Sequence, residues 1–330
     1  MTSFTTAAAT MQILSLAAME EASRTGSRDA DLEHLFLALA LSDQAAGTAL
    51  RAAGVTLARA REAVQAMHSE QLNSIGISLS APQPGRIVFH ETRGYEWTPR
   101  ALDVFKRAGD QGSGDAAAVL RELLVEPGGL IEDLLERLDT SAADITSALT
   151  TVTTSSTVTT PARSTAASGS INGSTETFVP AEVDVVWALL SDPTRMPEWN
   201  PSVGSVEFAE NGDGQGATTW LAVVPAVHPD GKPARVKEKF RRRQMELTES
   251  VPLERIAWRT SYPAIKRGNT NVLAIDLAPA PGGTRLQLTV SWTRRGGWRR
   301  LFSWVLRPLQ RFLMWLGLFQ IGAGISRAFR

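Results

Sequence analysis

Residues 150–161 read Thr-Thr-Val-Thr-Thr-Ser-Ser-Thr-Val-Thr-Thr-Pro, and residues 162–174 continue in Ser, Gly, Ala and Thr. Such a stretch has few large apolar side chains and no helical period. It cannot bury enough surface to offset its chain entropy, so the sequence predicts a disordered tether over 150–173. About 23 flexible residues would reach roughly 25–30 Å. A chain cut in this way cannot build one continuous core, and each side must fold on its own terms. The two sides differ accordingly. Residues 1–150 carry 12 Lys+Arg against 20 Asp+Glu, a net −8, and residues 151–330 carry 22 against 14, a net +8. Eight of the nine tryptophans lie in the second half, and only Trp97 lies in the first. The expected organisation is a helical domain over 1–149, the tether, and a second domain over 174–330.

Composition narrows the chemistry. The chain has no cysteine, which excludes disulfides, thiolate metal sites and cysteine nucleophiles. His34, His68, His90 and His228 are scattered without the i, i+4 spacing of a zinc site, so no metal is expected. The first residues, MTSFTTAAATMQ, lack the basic and apolar regions of a signal peptide, and a cytoplasmic protein is expected. No GxxxxGK[ST] pattern occurs, and Gly212-Asp-Gly-Gln-Gly216 reads as a turn. No nucleotide or other cofactor is expected.

The first half is punctuated as short amphipathic helices. Asp31 can cap a helix whose stripe is Leu32, Leu35, Phe36 and Leu39; Gly54 ends another, and Thr56 caps the next. The pattern then recurs. Thr98-Pro99 is a cap followed by proline at the first helical position, Asp115 caps a helix through Leu123, and Ser141 caps the last. Asp31 and Asp115 are 84 residues apart, Thr56 and Ser141 are 85, so the spacing predicts a duplicated four-helix unit. Met19-Glu-Glu-Ala22 followed by Asp31-Leu-Glu-His-Leu-Phe-Leu-Ala-Leu39, with Trp97-Thr-Pro-Arg-Ala101, resembles the Clp N-terminal (Clp R) domain. That resemblance implies a pseudo-duplicated helical module that binds adaptors and substrates. It places partner binding at Glu33 and His34. Leu32 stands where the family has threonine, and the second repeat reads Ala116-Ala-Ala-Val-Leu120 without the motif, so one site at most is implied.

After Ser174 the period switches. A short strand over 175–179 precedes a helix over 181–190, and alternating strands follow over 203–209, 217–224, 234–240, 244–250, 255–261, 271–278 and 284–292. One-sided alternation predicts an antiparallel sheet with one solvated face. A long apolar segment over 299–329 closes the chain, with its main helix starting at Pro308. Its apolar run, Phe312 to Ile325, is about 14 residues, too short for a membrane span. Val179-Pro-Ala-Glu-Val-Asp-Val-Val-Trp187, Leu190-Ser-Asp-Pro193, Met196-Pro-Glu-Trp-Asn-Pro201 and Gly283-Thr-Arg-Leu286 together resemble the START-like, polyketide cyclase (SRPBCC) superfamily. The resemblance implies an α+β helix-grip fold, an antiparallel sheet wrapped on the long C-terminal helix with a cavity between them for a hydrophobic small molecule.

The expected wall of that cavity is Trp187, Trp199, Trp220, Phe240, Trp258, Tyr262, Leu288 and Trp292, faced by Phe312, Leu316 and Phe319 from the helix. Alternation also turns Glu238 inward beside Phe240. A lone glutamate without a histidine or second carboxylate is no acid–base pair, so no catalytic residue is assigned. Residues 294–330 hold eight arginines and no acidic residue. Arg294-Arg-Gly-Gly-Trp-Arg-Arg300 reads either as a solvated basic patch or as a contact for an anionic surface. The sequence leads to a non-enzymatic, cytoplasmic binding protein with a small-molecule site in the second domain and a protein-docking first domain. A polyketide cyclase or aromatase-type enzyme and an adaptor for a Clp protease or unfoldase are the alternatives.

Overall fold

The computed structural model describes residues 3–76, 87, 94–156, 170–208, 219–227, 233–234, 236–265, 270–293 and 307–330. The chain divides into two compact units, Met1–Pro161 and Ala162–Arg330.

The first unit is helical: α1 (Ser3–Arg24), α2 (Leu32–Leu41), α3 (Ala45–Ala52), α4 (Leu57–Ser74), α5 (Pro99–Gln111), α6 (Ala116–Leu124), α7 (Leu130–Arg137) and α8 (Ala142–Ser156). The expected caps are in place. Asp31 accepts from the Leu32 N–H, Thr56 from Arg59, Thr98 from Ala101 and Asp115 from Ala118. Ser141 and Asp144 cap each other reciprocally. α6 starts 84 residues after α2 (32 to 116), and α7 and α8 start 85 after α3 and α4, so the helices recur in order. A two-residue parallel bridge joins β1 (Asp29–Ala30) to β2 (Glu96–Trp97) ahead of the two capped helices. Leu14, Leu35, Phe36, Leu50, Leu120 and Leu134 are completely buried in this unit. α1 packs on α2 and buries Leu14, Ala18 and Ala22, a face with mostly small residues that gave no helical signal in the sequence.

Regular structure reaches into both ends of the segment expected to be a tether, since α8 runs to Ser156 and the next strand begins at Ser170. The hydroxyls of Thr150, Thr151 and Thr154 donate to the carbonyls of Thr146, Ser147 and Thr150, four residues back. Residues 157–169 lie outside the described residues.

The second unit runs β3 (Ser170–Val179), α9 (Val183–Ser191), α10 (Met196–Trp199), β4 (Ser205–Phe208), β5 (Thr219–Val223), β6 (Arg242–Val251), β7 (Arg255–Ser261), β8 (Thr270–Ala280), β9 (Gly283–Thr293) and α11 (Arg307–Arg327). The strands form one antiparallel sheet in the order β3-β9-β8-β7-β6-β5-β4, with a bulge on β6 between Leu247 and Glu249. Parity sets the inner face. Leu286, Leu288, Val290 and Trp292 on β9 stand beside Leu277, Ile275, Leu273 and Asn271 on β8. Ile256, Trp258 and Thr260 continue the face on β7, with Leu247 and Met245 on β6 and Trp220 on β5. α11 lies along β3, and α9 sits against β8 and β9. Among the described residues no helix is long and apolar enough to cross a membrane.

Two expectations about this unit are corrected. Among the described residues, 234 and 236–240 form no strand. Val227 and Pro233 make an isolated antiparallel bridge, and Glu238–Phe240 is a 3-10 turn. Pro233 has no N–H to extend a ladder, so the alternation that follows it has no partner strand. The helix stripe is also rotated. Met314, Leu318 and Ile325 are buried, whereas Leu316 and Phe319 are half-buried. α11 is apolar on nearly all sides, so hydrophobicity alone does not fix which side turns inward.

Glycines let this helix approach closely. A Cβ on Gly324 would sit 2.1 Å from the carbonyl oxygen of Trp199, and one on Gly322 would sit 2.2 Å from Thr177 Oγ1. Thr177 can rotate, but the Trp199 backbone cannot. Gly324→Ala is therefore expected to destabilise the second unit by about 1–3 kcal/mol through overpacking. Thermal unfolding followed by tryptophan fluorescence would show a clear fall in Tm, and an unchanged Tm would refute the close approach.

Candidate ligand-binding face

Burial divides the inner face into two ends. Leu286, Leu288, Ile275 and Ile256 are completely buried. Two to four residues further along the same strands, the face opens: Leu273, then Trp292, Asn271 and Thr260, are only half-buried, as is Leu247 on β6. Trp258 lies at the boundary, completely buried and edge-on to Trp220 at 5.5 Å between ring centroids. Its indole Nε1–H has no hydrogen-bond partner among the described residues, and neither have Asn271 Oδ1 and Trp199 Nε1. Buried polar atoms of this kind are rare because each forfeits its hydration. Thr260 donates its hydroxyl to Met245 Sδ at 3.1 Å, a weak acceptor.

A cation stands at the edge of this face. Arg243 follows Met245 in inward parity and pairs across the ladder with buried Ala222. Its Nη1 donates to Ser202 Oγ at 2.9 Å, and its guanidinium carbon lies 5.8 Å from the Tyr262 ring centre. Ser202 in turn donates its hydroxyl and its N–H to Asn200 Oδ1. Phe240 meets Tyr262 edge-to-face at 5.4 Å. Arg255 and Arg259 on β7 and Arg241 beside β6 all have carboxylate partners. Arg243 has none among the described residues, and its Nε is buried without an acceptor.

The expected wall residues fall as follows. Trp199, Trp220 and Trp258 are buried, and Trp187 and Trp292 are half-buried against the core. Phe240 and Tyr262 meet near Arg243, as described. Leu288 is fully enclosed, so it belongs to packed core rather than to an open wall. Leu316 and Phe319 are rotated off the core, Phe319 stacking on Trp315 at 5.6 Å. Glu238 does not turn inward. Its side chain is 82% exposed and faces Arg241 at 3.5 Å, which removes the one acid–base candidate from the inner face. The side chain of Phe312 and the whole of 294–300 lie outside the described residues. Asn271, Thr260 and Arg243 were not singled out from the sequence. Their signal was parity with Leu273, Trp258 and Met245, hidden because polar residues at inward positions read as interruptions.

In the first unit Glu33 and His34 are buried at the start of α2. His34 Nδ1 accepts the Asp31 N–H at 3.1 Å and completes a capping box. Glu33 Oε1 lies 3.7 Å from both His34 Nδ1 and His68 Nε2, while Glu33 Oε2 is buried without a partner. Burial by itself would raise the Glu33 pKa, but His68 and His34 outweigh it and hold the carboxyl below its usual range. Burial pushes His34 down, and the neutral ring keeps the Nδ1 lone pair that the cap needs. The unfolded histidine takes its proton near pH 6.5, the folded one only at lower pH. Stability of the first unit should therefore fall as pH drops below about 6.5. His34→Gln, which caps without titrating, should flatten the fall in urea melts between pH 7 and 5. An equally steep fall in the variant would assign the effect elsewhere. Among the described residues no group of His, Asp and Glu is arranged to hold a metal ion.

Comparison with known proteins bears on the second unit. Residues 170–313 match the family described as polyketide cyclase / dehydrase and lipid transport, so this region carries a polyketide cyclase/START-like domain. Similar solved structures include a START superfamily protein from Mycobacterium smegmatis, 13% identical, covering 48% of this chain and 96% of its own, with a TM-score of 0.33. A protein from Thermus thermophilus is 19% identical over 48% of this chain and 97% of its own, with a TM-score of 0.33. The di-domain ARO/CYC StfQ of the steffimycin biosynthetic pathway is 15% identical over 62% of this chain and 61% of its own, with a TM-score of 0.34. No curated protein matches the chain.

Proposed function

We propose that the polyketide cyclase/START-like domain binds a hydrophobic small molecule against the half-open end of its inner face, and that the protein is a cytoplasmic binding protein rather than an enzyme. The observation that carries this reading is the loss of burial toward one end of the inner face. Leu288, Ile275 and Ile256 are sealed, while Trp292, Leu273 and Thr260 on the same strands are not. An apolar surface left half-wet beside unpartnered indole and amide groups suits a ligand that is mostly apolar with a few polar atoms. Burying such a surface is worth about 25 cal/mol per Å². The binding reading rests as well on Glu238 pointing away, because cyclisation chemistry would need an acid or base at the face.

The test is uptake of N-phenyl-1-naphthylamine, a neutral apolar fluorophore, together with native mass spectrometry of the purified full chain. Saturable uptake that falls several-fold in Leu273→Trp, with unfolding unchanged, is the expected result. No uptake and no co-purifying molecule would refute the reading.

A second reading concerns the first unit. The buried, unpartnered Glu33 Oε2 suits a cationic side chain of a protein partner, presented between His34 and His68. Arginine methyl ester should shift the His34 and His68 imidazole resonances, and Glu33→Gln should abolish the shift. No shift in the wild type would remove the site.

A further inference from the structure

Arg243 is not explained by hydrophobic binding alone. It occupies an inward position on β6, between buried Ala222 across the ladder and buried Met245 along the strand. A hydrogen bond to Ser202 fixes one end of the guanidinium, and Ser202 is itself fixed by buried Asn200. The Tyr262 ring limits movement from another side. The charge is thus oriented, yet no carboxylate answers it among the described residues, and Nε is out of water without an acceptor. A guanidinium held in this way has lost hydration that its protein neighbours do not replace. Its planar fork of donors matches a carboxylate, sulfonate or phenolate oxygen far better than an uncharged group.

We propose that Arg243 anchors an anionic group of the bound molecule, so that the ligand is an amphipathic anion whose apolar body lies along Met245, Trp220 and Trp258. The proposal rests on the binding reading above and specifies its chemistry. Trp220 is the diagonal neighbour of Arg243 on the same face, since Met245 pairs with Trp220 on β5, and Trp258, opposite Leu247, lies beyond it with its ring 5.5 Å from that of Trp220. The charged end and the aromatic floor are therefore one continuous surface. Ser202 and Asn200 act as positioning residues, because Ser202 bonds Arg243 and Asn200 bonds Ser202.

Two fluorophores sharing one ring system separate the elements of the proposal: 1-anilinonaphthalene-8-sulfonate, an anion, and N-phenyl-1-naphthylamine, which lacks the sulfonate. The full-length wild type should bind the sulfonate more tightly. Arg243→Met should weaken sulfonate binding by about tenfold or more, the loss expected for a charge-assisted pair, and leave the neutral probe within about twofold. Arg243→Lys should retain part of the preference, as a point charge without the fork. Thermal unfolding of both variants establishes that they fold, and if the methionine variant does not, the lysine variant and the wild-type preference still decide. Equal wild-type affinity for the two probes would overturn the anionic anchor while leaving hydrophobic binding intact. A parallel loss of both probes in Arg243→Met would also overturn it, making Arg243 a structural support. Failure of the wild type to take up either probe would remove the binding reading, and the anchor with it.

Discussion

Leu288→Ala is expected to destabilise the second unit by about 2–5 kcal/mol. Leu288 is completely buried and sits between Ile275 on β8 and Thr175 on β3, with no open space on its side of the inner face. Truncation removes the transfer energy of three carbons and leaves a cavity that a hydrogen-bonded central strand cannot collapse to fill. Leu316→Ala provides the contrast. Leu316 is half-buried on α11, off the stripe of Met314 and Leu318, so its loss should cost about 1 kcal/mol or less. Denaturant melts read by tryptophan fluorescence report on the second unit, because eight of nine tryptophans lie there. If Leu288→Ala cost as little as Leu316→Ala, the sealed end would be open too, and the ligand face would run the whole length of the strands.

Arg61→Met should cost the helical unit about 3–5 kcal/mol. Arg61 on α4 grips Glu21 on α1 through two parallel hydrogen bonds of 2.9 and 2.7 Å. The Glu21 side chain is 1% exposed, so removing the guanidinium takes the two-pronged partner from a carboxylate held in the interior. Arg24, 3.5 Å from the same carboxylate, places the loss near the lower bound rather than the upper. The paired replacement Glu21→Met with Arg61→Met should recover most of it, since a buried ion pair contributes little over a well-packed apolar pair. Far-UV circular dichroism of the wild type, the two single variants and the double variant completes the cycle. A double variant no better than Arg61→Met would mean that the pair contributes net stability beyond satisfying its own charges.

Local chemistry made much of the architecture legible. Asp31, Thr56, Thr98, Asp115 and Ser141 announced helix starts because a side-chain oxygen at a cap acts within three residues. Strands β7, β8 and β9 were legible from the alternation of apolar and polar residues. What failed had no local signature. α1 buries alanines and two carboxylates, a face that hydropathy reads as indifferent. The 234–240 segment alternates like a strand, but strand formation depends on a partner the sequence does not show. The phase of α11 is set by where Gly322 and Gly324 admit Thr177 and the Trp199 carbonyl, which is tertiary information. The aromatic part of the candidate site was visible as a cluster of tryptophans. Its polar part was not, because an inward asparagine, threonine or arginine only becomes meaningful once register puts it beside Trp258 and Met245.

The order of strands has a consequence for how the chain is made. β3 is the first strand of its sheet to be synthesised, and its pairing partner is the last, with Ser170 opposite Thr293 across 123 residues (170 to 293). At a synthesis rate of about 5–20 residues per second, β3 waits roughly 6–25 s before β9 exists. The helical unit needs no such delay, since its contacts are formed by residues already emerged. During that interval β3 is an unpaired strand exposed to other nascent chains. Its middle, Asn172-Gly-Ser-Thr-Glu-Thr177, is polar and carries a charge, a poor template for cross-chain pairing. The same polarity that makes β3 look featureless disfavours pairing between growing chains until β9 arrives to close the sheet.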